Sequence, residues 1–216
     1  MLELFVSLFV ITILVVAMMF VPLKFGDYHT IPVHTCVPIA ARRFLIKHHW
    51  AKINRENCEA ALTRFANICE KYNVKFYLAS GTALGCVREG DFIPNDSDID
   101  VGMFPDAFAV FQTLLPLFQK QGYFLYKHYS KVPRFVTLVY QGESLDVSET
   151  TPTGHCEDLP GPCEELWPTL EPFRTVQLRG RSYTVPSQAY VEYLYGKNWN
   201  VPLNEKAYEI NERLPK

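Results

Sequence analysis

The run Asp96-Ser97-Asp98-Ile99-Asp100-Val101-Gly102-Met103-Phe104 constrains this chain more than any other. Three carboxylates at every second position lead directly into an apolar stretch. In an extended strand, residues i and i+2 share a side. Asp98 and Asp100 therefore project from one face, while Ile99 turns into the core. Carboxylates held side by side repel by roughly 1 kcal/mol at about 4 Å in bulk water, and nearer 4 at a partly screened site. A hard divalent cation held by oxygen ligands relieves that repulsion. The pattern predicts a metal-dependent phosphoryl-transfer site, with Asp98 and Asp100 as ligands to Mg²⁺ or Mn²⁺. Asp96 either adds a third carboxylate or fixes the loop by accepting a backbone N–H.

The residues upstream suit the same chemistry. The apolar run Phe76-Tyr77-Leu78-Ala79 ends in the small-residue turn Ser80-Gly81-Thr82. Without a Cβ, Gly81 lets backbone N–H groups approach a phosphate, and Thr82 adds a hydroxyl. Thr82 equally suits the N-cap of a following helix. Arg88 offers a planar guanidinium to a diphosphate, or a salt bridge to Glu89 or Asp91. A second strand, Ser144-Leu145-Asp146-Val147-Ser148, presents Asp146 as a further metal ligand or as the base for an acceptor. A surface-facing strand Asp is the alternative, and Glu143 and Glu149 are rivals for the role. Lys127, Lys131 and Arg134 form a basic cluster in sequence that suits either an anionic donor or a solvated face.

Taken together, Gly81-Thr82-x-Leu84-Gly85-x-x-Arg88, Ile93-Pro94 and Asp96-x-Asp98-Ile99-Asp100 resemble the signature of the LicD/fukutin family, a branch of the nucleotidyltransferase-fold superfamily. The resemblance covers about residues 60 to 200. It implies an α+β fold: a nucleotidyltransferase-like mixed sheet flanked by helices. It also implies a phosphotransferase that moves a phospho-alcohol, of the ribitol phosphate or phosphocholine type, from a CDP-activated donor to a glycan or glycoprotein acceptor. By that resemblance Asp98, Asp100 and Asp146 are catalytic, Asp96, Asp98 and Asp100 hold the metal, and Gly81, Thr82 and Arg88 bind the donor. Asn95 departs from the family pattern, which commonly has an aromatic residue or His there. The rival from another class is a catalytically silent, membrane-tethered scaffold or chaperone of the glycosylation machinery. Such a relative is expected to have lost the carboxylates that this chain keeps.

Leu4 to Val21 is an uncharged run of 18 residues, interrupted by Ser7 and Thr12. As a helix it spans about 27 Å, enough for a thin bilayer. No Lys or Arg precedes it and Val21-Pro22-Leu23-Lys24 is a poor cleavage site, so it reads as one N-terminal transmembrane helix rather than a signal peptide. The expected organisation is an anchor at 1–23, a stem at 24–50 broken by Pro32 and Pro38, and a catalytic domain at 51–216. Lys24, Arg42 and Arg43 favour a cytosolic domain by the positive-inside rule. The resemblance favours a type II protein with its domain in the Golgi or endoplasmic reticulum lumen, and six cysteines lean the same way. Cys58 and Cys69 lie about 16 Å apart along one helix, too far to bridge. A net charge of −2 gives no support to a nucleic-acid binder, which needs a basic footprint.

Periodicity predicts helices over 51–72 and 105–121, the latter kinked by Pro116, with a short helix around Leu84 and another near 187–195. Strands are expected at 75–79, 98–103, 122–128, 134–140 and 144–149. A hairpin is expected at 174–178 and 182–185, and a long loop over 150–172.

Overall fold

Helix α1 (Arg55–Lys71) shows how the chain builds its core. Cys58, Ala61, Leu62, Phe65, Ile68 and Cys69 recur at helical spacing and all are buried. Asn54 caps the N-terminus, its side chain accepting from the Asn57 N–H at 2.9 Å. Glu56 in the first turn and Lys71 in the last complement the helix dipole. The computed structural model describes residues 53–93, 96–131, 134–152 and 163–202, and two backbone segments at 22–23 and 31–32.

The remaining elements follow in order: β1 (Tyr77–Leu78), α2 (Ser80–Glu89), β2 (Ile99–Met103), α3 (Pro105–Thr113), α4 (Leu115–Lys120), β3 (Phe124–Tyr129), β4 (Phe135–Tyr140) and β5 (Glu143–Glu149). After these come α5 (Cys163–Leu166), a 3₁₀ turn (Trp167–Thr169), β6 (Arg174–Leu178), β7 (Arg181–Val185) and α6 (Gln188–Tyr195). Five strands form one mixed sheet in the order β1-β2-β5-β4-β3. Strands β2 and β5 run parallel, and the other pairs are antiparallel. The expected α+β class and mixed sheet are therefore present.

One sheet face is apolar. Ile99, Val101, Met103, Leu145, Val147, Val136 and Leu138 join Phe65, Phe108, Phe111 and Phe118 in a single buried cluster. Phe65 lies 5.3 Å from Phe118 and 5.9 Å from Phe111, ring centre to ring centre. The alternate residues of β2 and β5, among them Asp100 and Asp146, take the opposite face.

Two local expectations change. The helix foreseen over 105–121 is two helices, α3 and α4, meeting at Leu114. Pro116 has no N–H to donate to the carbonyl four residues earlier, which ends the first helix instead of bending it. The segment 150–172 holds α5 and the 3₁₀ turn, where an irregular loop was expected. The β6–β7 hairpin turns at Arg179 and Gly180, whose φ values of 47° and 84° match a two-residue turn with both central residues left-handed.

Among the described residues no helix is long and apolar enough to cross a membrane. Leu4 to Val21 lies outside them. Pro22–Leu23, the last residues of the expected anchor, pair antiparallel with Ile31–Pro32 of the expected stem. Cys58, Cys69 and Cys86 are all buried, and Cys69 and Cys86 are free thiols.

Candidate active site

Strand β2 begins one residue after Asp98, and the loop before it folds Asp96 back towards the same place. Asp96, Asp98 and Asp100 are half-buried, and each offers a carboxylate oxygen within 4.8 Å of the others. Half-buried donors made of oxygen alone fit a hard divalent cation. Of the two readings open for Asp96, the structure groups it with the other carboxylates. It also fixes the loop: its Oδ1 accepts from the Ser97 N–H at 3.0 Å.

The second strand delivers Asp146 to the same face. In the parallel pair β2–β5, Asp100 stands directly opposite Asp146, so the two side chains point the same way from neighbouring strands about 4.8 Å apart. Asp146 is 6% exposed, which removes the surface-facing alternative. Its rivals are used elsewhere. Glu143 accepts from the Asn54 N–H at 3.1 Å at the start of α1. Glu149 lies on the other face, where Arg134 grips it through Nη2–Oε1 at 2.6 Å and Nε–Oε2 at 3.0 Å. Those bonds hold the Glu149 carboxyl below the ordinary range against the opposing effect of burial. The expected basic cluster is thereby divided. Arg134 turns to the core side, while Lys127 pairs with Thr137, which pairs with Asp146, on the carboxylate face.

Helix α2 starts earlier than the sequence suggests. Gly81 and Thr82 lie inside its first turn, and its N-cap is Ala79. Thr82 is therefore not the cap. Its Oγ1 accepts the Asp100 N–H at 2.9 Å instead, tying the helix start to the carboxylate strand. Gly81 leaves room for the Asp96 carboxylate, because a Cβ there would lie 2.1 Å from Asp96 Oδ2 and push it aside. Ser80 holds φ at 44°, a conformation that costs a non-glycine residue about 1–3 kcal/mol and persists where its surroundings dictate it. Here the Ser80 N–H donates to the Tyr190 hydroxyl at 3.0 Å. Burial pushes the Tyr190 hydroxyl up to about 12, and the neighbouring Asp100 charge adds to the rise. The sequence alone assigns Tyr190 no role. It is 110 residues from Ser80, and no local pattern marks it.

Arg88 occupies the last turn of α2. Its Nε and Nη2 both reach Glu89 Oε1, at 2.9 and 2.6 Å. The structure thus brings together Gly81, Thr82, Asp96, Asp98, Asp100 and Asp146, and pairs Arg88 with its neighbour. Asn95 lies outside the described residues.

Residues 73–154 match the family model described as LicD/FKTN/FKRP, nucleotidyltransferase domain. Human ribitol-5-phosphate transferase FKTN is 29% identical over 161 residues, which is 69% of this chain and 34% of that protein. The lipopolysaccharide cholinephosphotransferase LicD of Haemophilus influenzae is 41% identical over 54 residues, 25% of this chain and 20% of that protein. An uncharacterized protein of Rickettsia typhi is 27% identical over 95 residues, 37% of this chain and 31% of its own length. The chain thus spans about a third or less of these relatives. A solved putative nucleotidyltransferase from Thermotoga maritima aligns with a TM-score of 0.46 at 15% identity, over 76% of this chain and 96% of that one, and at that level carries no argument. The matched segment, which holds every carboxylate of the site, is a LicD-type nucleotidyltransferase domain, and the likeness of the chain to fukutin and LicD supports its assignment to the LicD/fukutin family.

Proposed function

We propose that the protein is a metal-dependent phosphotransferase that moves a phospho-alcohol from a CDP-activated donor to a hydroxyl of a glycan acceptor. The observation that carries the reading is the convergence of Asp96, Asp98 and Asp100 within 4.8 Å, with Asp146 in register beside Asp100. The family supports transfer of phosphorus-containing groups. The names of two relatives, a ribitol-5-phosphate transferase and a cholinephosphotransferase, support the alcohol class.

In this reading Asp96, Asp98 and Asp100 hold Mg²⁺ or Mn²⁺. When bound, the ion supplies charge neutralisation for the donor diphosphate, much of what phosphoryl transfer requires. Gly81 and Thr82 offer the N-terminal end of α2 to the same phosphates. Arg88 exchanges Glu89 for the departing CMP. Asp146 takes the proton of the acceptor hydroxyl as its oxygen bonds to the phosphorus bearing the alcohol. The bond from that phosphorus to the CMP oxygen breaks, and CMP leaves with the electron pair. An anchor at Leu4 to Val21 and a lumenal domain complete the proposal. The length and lack of charge of that run support the anchor, and the family resemblance supports the lumenal side.

The test is binding of CDP-ribitol, CDP-choline and CDP-glycerol to the full chain, with and without Mg²⁺ or Mn²⁺. Metal-dependent binding of one donor, lost in Asp98→Asn while the far-ultraviolet spectrum holds, is the expected result. Binding of no donor by a folded chain, or full turnover in Asp98→Asn, overturns it.

A further inference from the structure

The carboxylate face of the sheet continues beyond Asp146 onto the β3–β4 hairpin. Register sets two rows across it. The first runs Asp100, Asp146, Thr137, Lys127, and the second Gly102, Ser148, Phe135, Tyr129. Partners in a ladder share a face, so all eight residues lie on the side that carries the catalytic candidates. Phe135 and Tyr129 form a ring pair with centres 6.0 Å apart and planes inclined at 53°. The pair is not sealed in the core: Tyr129 is 42% exposed and Phe135 is half-buried. Exposed Ser148 lies beside it in the second row, and half-buried Lys127 lies in the first.

We infer that Phe135 and Tyr129, with Ser148 and Lys127, form the acceptor subsite, taking the ring of a neutral pyranose. An aromatic platform flanked by a hydroxyl and a cation offers a sugar C–H groups against the rings and donors for its hydroxyls. The assignment to the acceptor rests on the phosphotransfer reading and on in-line displacement. The groups proposed to receive the departing nucleotide lie on the α2 side of the carboxylates. The incoming hydroxyl must then approach from the opposite side, across Asp146, where the hairpin stands. Tyr129 lies three strands from Asp100, about 14 Å across the sheet, so the platform holds a sugar beyond the reacting hydroxyl.

The test is saturation-transfer NMR on the full chain in detergent, without donor or metal, using methyl glucoside, methyl galactoside and lactose, with CMP as competitor. Transfer to pyranose C–H protons is expected. It should fall at least fivefold in Tyr129→Ala and return in Tyr129→Phe, which keeps the ring. Transfer to none of the three sugars, equal transfer in Tyr129→Ala, or displacement of the sugar by CMP overturns the inference. Sugar binding here needs neither donor nor metal. A failed phosphotransfer reading therefore appears separately, in the donor-binding experiment with Asp98→Asn.

Discussion

At the scale of single residues, the site depends on side chains whose positions are set by close backbone approach. Gly81 is the clearest case, since any Cβ there invades the space of the Asp96 carboxylate. Replacing a helical glycine by alanine ordinarily stabilises a helix by about 0.5–1 kcal/mol. Gly81→Ala is therefore expected to leave the melting temperature near or above that of the wild type. Mn²⁺ affinity, followed by electron paramagnetic resonance, should fall on the order of tenfold as a carboxylate is pushed out of the ligand set. A simple loss of stability with unchanged Mn²⁺ affinity would show that Asp96 does not serve the metal. The three aspartates and Gly81 were all visible as a pattern in sequence. Tyr190 was not, because its bond to Ser80 joins positions far apart in the chain.

Among secondary-structure elements, the ion pair of Arg134 and Glu149 fastens the end of β5 to the start of β4. The Arg134 backbone N–H also donates to Glu149 Oε2 at 2.9 Å, and its Nη1 reaches Gln112 of α3 at 2.8 Å. The folded Glu149 carboxyl titrates lower than an unfolded glutamate, whose pKa is about 4.3. Its stabilising effect is complete above that value and is lost as pH falls through the lower, folded value. Thermal midpoints of wild type and Glu149→Gln should differ by several degrees at pH 7 and converge below about pH 4. A constant difference across that range would assign the effect to packing. Sequence placed Arg134 beside Lys127 and Lys131 as one basic group. Strand alternation divides them, and that division depends on a register shift between Leu125 and Lys127. A bulge of this kind moves every later side chain to the other face, and composition does not announce it.

For the whole molecule, the proposed anchor makes a direct prediction. The full chain should remain in the membrane pellet after alkaline carbonate extraction, and a chain lacking residues 1–23 should move to the supernatant. Recovery of both in the supernatant would refute the anchor. The class of fold was legible because period-2 and period-3.6 apolar patterns specify which residues must leave water, whatever their partners. Helix α1, the four longer strands of the main sheet and the β6–β7 hairpin came out close to their expected limits for that reason. The break at Leu114 was half legible: Pro116 marked the place, but not whether the helix would bend or end. The carboxylate motif was legible too, since its chemistry and spacing are local. What only the tertiary structure decided is which distant groups join it. The parallel pairing of β2 with β5 sets Asp146 beside Asp100, retires Glu143 and Glu149 to structural bonds, and turns Tyr129 and Phe135 towards the same face. Those assignments follow from strand order and register, which long-range packing chooses and no short stretch of sequence contains.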